Sequence, residues 1–121
     1  ESFHGAADAA IAAECFHGVN VKLVKTGGVI GALEALKAAK SQGLKTMLGC
    51  MLETSILISA AAHLAPLCDY LDLDGNLLIT NDPYVGVTAE KGLLSFSTSP
   101  EPIGLRVAPR RGNSFSESIN P

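Results

Sequence analysis

The sequence predicts an α/β fold built on parallel strands, and three observations predict it. Helix-like apolar segments alternate with short segments rich in Val, Leu and Met. The strand-like segments recur roughly every 25 residues, the period of a strand joined to the next by a helical crossover. Glycines punctuate the joins, at Gly18, Gly28, Gly43 and Gly75.

Residues 3–16 are alanine-rich and free of proline, which predicts a helix stopped near Gly18. Residues 19–24, "VNVKLV", predict a first strand running into a turn at Thr26–Gly28. Its alternation sets Asn20, Lys22 and Val24 on one face and Val21, Leu23 and Lys25 on the other. In residues 29–43, Val29, Ile30, Leu33 and Leu36 fall at helical spacing, and Gly43 ends the run. Residues 44–51, "LKTMLGCM", predict a second strand. Residues 54–67 predict a helix opened by Thr54 or Ser55 as N-cap and ended near Pro66. Residues 69–76, "DYLDLDGN", predict a third short strand turning at Gly75. Beyond Asn76, apolar pieces broken by Asn81–Asp82–Pro83 and by Lys91–Gly92 predict hairpin-like strands. The Pro- and Ser-rich end predicts a loose tail.

Composition narrows the function. The chain has 121 residues, 47% hydrophobic and 17% charged, a core-forming balance far from disorder. A net charge of −3 points away from nucleic acid and anionic membranes as partners. No apolar run approaches the roughly 18 residues of a membrane span. Cys15, Cys50 and Cys68 are odd in number and irregularly spaced, which suits reduced thiols in a cytoplasmic protein better than a disulfide framework or a zinc site. The opening "ESFHGAADAAIAAE" reads as the middle of a longer protein. Three strands cannot close a barrel, and an open parallel sheet would leave both edges bare. The expectation is a small open α/β domain or part of something larger.

Parallel α/β folds gather chemistry at the carboxyl ends of their strands. Those ends carry Lys22, then Cys50 and Glu53, then Asp72 and Asp74. If the Val21/Leu23 and Leu71/Leu73 faces pack under helices, Lys22, Asp72 and Asp74 project from the opposite face. Charges so placed need water, a ligand or one another. A lysine there can act as a general base. Plainer readings stand beside each of these. Lys25, beside the turn, reads as solvated, and phase alone leaves Lys22 open. Paired aspartates serve more often as turn formers or caps than as ligands. Glu53 could merely favour the N-terminus of the following helix, Cys50 could simply pack, and His4, His17 and His63 are scattered. "KTGG" lacks a preceding S-x-x-K, "VKT" lacks a phosphate-loop glycine, and "DLDGN" has its glycine too early for a calcium loop.

Together the K-x-x-K-x-G-G strand and turn, "GCMLE" and the D-x-D near Gly75 resemble the enolase superfamily. The likeness is to the C-terminal part of the barrel in the muconate-lactonizing subgroup, and most to the dipeptide epimerases, of which L-Ala-D/L-Glu epimerase is the type. It runs from Glu1 to about Val107. It implies a segment of about three β/α units over residues 1–80 of an enolase-type TIM barrel, strands returning toward a capping domain over residues 81–107, and a flexible tail over residues 108–121.

The resemblance also implies roles. Lys22 matches the catalytic lysine that exchanges a proton at one face of the substrate α-carbon. Asp72 and Asp74 match the pair that binds the substrate's α-ammonium group. Cys50 and Met51 fall where the side-chain pocket is shaped, and Glu53 where a positioning glutamate stands. The cofactor implied is Mg²⁺, its acidic ligands expected upstream of Glu1 and none in this chain. The partners implied are a small dipeptide, the capping domain and the first barrel half, in a homo-oligomer, with no nucleic acid and no membrane. This chain alone is expected to be inactive. The "PEPIGLRV" stretch departs from the family's usual Pro-Gly-Leu-Gly-like end. Alternatives are an o-succinylbenzoate synthase, an N-acylamino acid racemase or a muconate cycloisomerase, whose substrates carry no free α-amine, or an inactive barrel fragment that associates with a complementary chain.

Overall fold

The computed structural model describes residues 2–96 and 104–110. Its centre is a parallel sheet of β1 (Gly18–Lys22), β2 (Lys45–Gly49) and β3 (Tyr70–Asp72), in that order. The helix α1 (Ala9–Cys15) precedes β1, after a 3-10 turn at Ala6–Asp8. The one-turn helix α2 (Leu23–Thr26) and α3 (Val29–Ser41) join β1 to β2, and α4 (Ser55–Ala62) joins β2 to β3. Beyond the sheet come β4 (Tyr84–Val85), β5 (Thr88–Glu90), β6 (Leu93–Ser95) and β7 (Ala108–Pro109). β5 and β6 form the expected hairpin about Lys91–Gly92, and β4 pairs with β7. No described helix is long and apolar enough to cross a membrane.

One layer of packing sets the phase of every strand. Ala32, Ala35, Leu36 and Ala39 form a stripe at helical spacing along α3, and all four are fully buried. They pack in one core with Val21 of β1 and Leu48 of β2, which are partners in register and equally sealed from solvent. Ala9 and Ala12 of α1 join this core. The small side chains of Ala32, Ala35 and Ala39 let α3 approach the sheet closely.

Several boundaries differ from expectation. The first helix is shorter, because residues 3–5 are extended and lead into a 3-10 turn; Phe3 is nonetheless buried in the core. The first strand ends at Lys22 rather than Val24, so Val24 and Lys25 belong to a helical turn that Gly27 closes at φ 81°. Thr26 Oγ1 donates back to the Lys22 carbonyl at 3.2 Å, which offers that carbonyl a local partner in place of a strand partner. The third strand stops at Asp72, and Asp74 instead caps a 3-10 turn at Gly75–Leu77. Leu73 is buried as expected, but Leu71 is 42% exposed because β3 pairs with β2 alone among the described residues. Residues 108–109, expected in the tail, pair with β4 as β7, while 111–121 lie outside the described residues.

Two aspartates tie the layers together. Thr54 stands at the N-cap of α4 but makes no side-chain cap bond. Asp82, buried and far along the chain, supplies it: its Oδ2 accepts from the Ser55 amide at 2.8 Å and the Ser55 hydroxyl at 2.6 Å. Its Oδ1 accepts from the Tyr84 amide at 3.0 Å. Burial works most strongly against the Asp82 charge, yet these bonds and nearby Arg110 together hold its carboxyl below the usual range. At the amino ends of the strands, Asp69 accepts from Lys45 Nζ at 2.9 Å and from the amide and hydroxyl of Thr46 at 2.9 and 3.1 Å. The Lys45 ammonium and then the Thr46 amide hold Asp69 at about 2, below the ordinary 3.8.

These ties give two expectations for unfolding. Asp82→Ala leaves the Ser55 and Tyr84 donors without their acceptor and should cost about 2 kcal/mol in denaturant melts. Asp69 is ionised in the folded protein well below its unfolded value, so its contribution is present above pH 3.8 and is lost as pH falls toward about 2. Asp69→Asn should therefore lower the melting temperature at neutral pH and converge on the wild type in strong acid.

Candidate active site

Register places the chemistry. Lys22 pairs with Gly49, and Gly49 with Asp72, so these three residues form one row at the carboxyl ends of three strands. Residues in one row of a sheet share a face. The row below is Asn20, Met47 and Tyr70. This face is opposite the buried Val21–Leu48 layer: Asn20, Tyr70 and Asp72 are exposed, and Lys22 and Met47 partly so. With neighbouring strands nearly 5 Å apart, the Lys22 and Asp72 backbones stand roughly 10 Å from each other.

The gap in that row has an occupant. A Cβ on Gly49 would lie 2.5 Å from Asn20 Oδ1 and 2.9 Å from Nδ2. The Asn20 carboxamide therefore rests over Gly49, between the lysine and aspartate strands. Sequence reasoning put Asn20 on the correct face but gave it no part in the site. The "LGC" glycine was its signal, since a glycine inside a strand marks a close approach.

Above the row, the loop after β2 folds over the lysine. Lys22 Nζ donates to Met51 Sδ at 3.4 Å. The Met51 amide in turn donates to Glu53 Oε1 at 3.0 Å. Glu53 is only 9% exposed, and burial pushes its carboxyl up, against the pull of the Met51 amide and the Lys22 charge. The Cys50 thiol faces Asp74, with Sγ 3.8 Å from Oδ1, and accepts from the Gly75 amide at 3.3 Å. Burial, against the smaller opposing effects of the Gly75 and Asp74 backbone, raises the Cys50 thiol, so it is a packed group and not a ready thiolate.

The loop and the turn after β3 touch directly. A Cβ on Gly75 would fall 2.0 Å from the Met51 carbonyl oxygen and 3.2 Å from Cys50 Sγ, so only glycine fits. All six residues singled out in the sequence thus stand at one end of the sheet. Lys22, Met51 and Glu53 form one connected set, and Cys50 and Asp74 a second joined to it through Gly75. Asp72 shares the row with Lys22. Asp74 arrives from the turn rather than from the strand, so strand alternation is not what orients it.

Among the described residues, no three His, Cys, Asp or Glu side chains gather closely enough to hold a metal. The assembly offers an amine, two exposed carboxylates and two sulfur-bearing side chains at one end of the sheet. That combination can exchange a proton beside a cationic group on a small molecule.

No family model matches the chain. It is 73% identical to the L-Ala-D/L-amino acid epimerase of Pedosphaera parvula (strain Ellin514) over 107 residues, which are 88% of this chain and 31% of that protein. Its fold is similar to that of the dipeptide epimerase from Methylococcus capsulatus complexed with Mg and the dipeptide L-Arg-D-Lys, with a TM-score of 0.72 and 37% identity over 79% of this chain and 29% of that one. It is also similar to a substrate-liganded complex of the L-Ala-D/L-Glu epimerase from Bacillus subtilis, with a TM-score of 0.71 and 29% identity over 79% of this chain and 28% of that one. The chain spans under a third of the length of the relatives it matches. By sequence and by fold, the chain belongs to the enolase superfamily and is similar to one part of the TIM barrel of its dipeptide epimerases.

Proposed function

We propose that the protein to which this chain contributes is a cytoplasmic, Mg²⁺-dependent dipeptide epimerase. The observation that carries the reading is the shared face of Lys22 and Asp72, with Asp74 beside them at the carboxyl ends of the strands. Lys22 Nζ takes the α-proton from one side of the substrate carbon and returns it there when the reaction runs in reverse. Inversion requires a second base on the opposite side, which belongs to the rest of the barrel. Asp72 and Asp74 meet the α-ammonium of the dipeptide through charge-assisted hydrogen bonds. Cys50 and Met51 border the substrate side chain, and Glu53 holds the loop that carries Met51. Mg²⁺ is proposed for the whole protein because a similar epimerase is a complex with Mg. The described residues of this chain do not fit that ion, and its ligands are assigned to the remainder of the protein.

A second reading rests on the edges of β1 and β3, unpaired among the described residues, and on exposed Phe16 and Ile30: a segment that acts by pairing with a complementary chain. Activity of the intact protein separates the two. Full-length protein incubated with L-Ala-L-Glu and Mg²⁺ in D₂O should exchange the α-proton, followed by NMR. Lys22→Ala should slow epimerisation by about 10²–10⁴-fold. Equal rates of epimerisation by wild type and variant would remove the catalytic assignment.

The amine assignment has its own test. Asp72→Asn and Asp74→Asn should each raise KM for the free dipeptide by about 10- to 100-fold, the effect of losing one hydrogen bond to a charged group. N-acetylation of the dipeptide should impair the wild type at least as severely. A wild type indifferent to acetylation would favour an N-acylamino acid substrate instead.

A further inference from the structure

Met51 stands between two opposite charges. Its thioether sulfur takes the Lys22 ammonium at 3.4 Å, while its own amide holds Glu53 Oε1 at 3.0 Å. Among the described residues, the Lys22 ammonium forms a hydrogen bond or ion pair with no carboxylate. Cys50, at the end of β2, points to Asp74. Asp72 lies two strands off across the Asn20-filled gap, and Lys25 belongs to the helical turn beyond the strand. Glu53 is the carboxylate whose charge Lys22 feels through space.

We propose that Met51 is a positioning residue that keeps the Lys22 ammonium and the Glu53 carboxylate from closing into an ion pair. The inference rests on the reading of Lys22 as the group that exchanges the α-proton. A thioether accepts a hydrogen bond weakly and carries no charge, so it orients the amine without stabilising its cation as a carboxylate would. An ion-paired lysine holds its proton to higher pH and serves poorly as a base near neutrality. The Met51 amide adds a second restraint by occupying the Glu53 oxygen. One residue thus separates the pair with its side chain and tethers one member with its backbone.

The test uses full-length protein. In Met51→Ala the rising limb of the epimerisation pH profile should move about one unit to higher pH. Adding Glu53→Gln should return the limb to its wild-type position, whatever it does to the rate. Met51→Leu, which keeps the bulk and loses the sulfur, should leave the limb near the wild type. A readout without turnover accompanies these: reductive methylation of Lys22 at fixed mild alkaline pH, quantified by peptide mass spectrometry. It should be about tenfold slower in Met51→Ala than in wild type and should recover in the double variant. Met51 is 46% exposed on a loop, so its truncation is compatible with folding; Met51→Ser is read in the same way. Unchanged labelling in Met51→Ala, or a slowing that Glu53→Gln fails to reverse, overturns the proposal. A wild type that labels as expected yet exchanges no substrate proton overturns the epimerase reading and leaves the separation of charges standing.

Discussion

The pairing of Val21 with Leu48 beneath α3 is the constraint on which the rest of this structure depends. Side chains alternate along a strand, so fixing one buried pair fixes the direction of every neighbour. A slip of one residue would drive Lys22 into the alanine-lined core and turn Val21 outward. Burying an unpaired ammonium there costs far more than the packing returns. The apolar layer therefore decides where the polar residues stand, although it touches none of the atoms that would meet a substrate.

The two ends of the sheet divide their work. At the amino ends, Asp69 joins Lys45 and Thr46 in a closed set of hydrogen bonds, satisfied within the protein. At the carboxyl ends, among the described residues, the Lys22 ammonium hydrogen-bonds only a thioether, and Asp72 and Asp74 stay exposed. Groups with satisfied partners stabilise; groups left with spare bonding capacity are available to a ligand. This polarity is what parallel strands joined by helices produce, because all carboxyl ends emerge on one side. Among the described residues, β1 and β3 each pair on one side alone, and Tyr70 and Leu71 of β3 are exposed, so another strand could be added at these edges.

Much of this was legible in the sequence, for local reasons. The alternation of strand and helix and the end of α3 near Gly43 follow from spacing and from glycine, whereas the buried stripe of α3 is Ala32, Ala35, Leu36 and Ala39, and Val29 and Ile30 of the expected face are exposed. Lys22 and Asp72 fall on one face because period-two alternation survives into the fold. What was not legible depends on partners distant in the chain. Nothing near Ser55 announces that Asp82 will cap its helix, and Thr54 offers a plausible local cap that is not used. The turn at Leu23–Thr26 hides within a strand-like run of valine and leucine, and its closure depends on Gly27 taking a left-handed conformation. Asn20 was placed but not understood, because its significance lies in a missing side chain on the adjacent strand.

The contact between Gly75 and the Met51 carbonyl leaves no space for even one added carbon. The loop that carries Cys50 and Met51 and the turn that carries Asp74 are consequently a single mechanical unit. Drift in one of them is felt in the other. A lineage that reshaped this loop would move Asp74 at the same time, so under the proposed function the grips on the two parts of a substrate would evolve in concert.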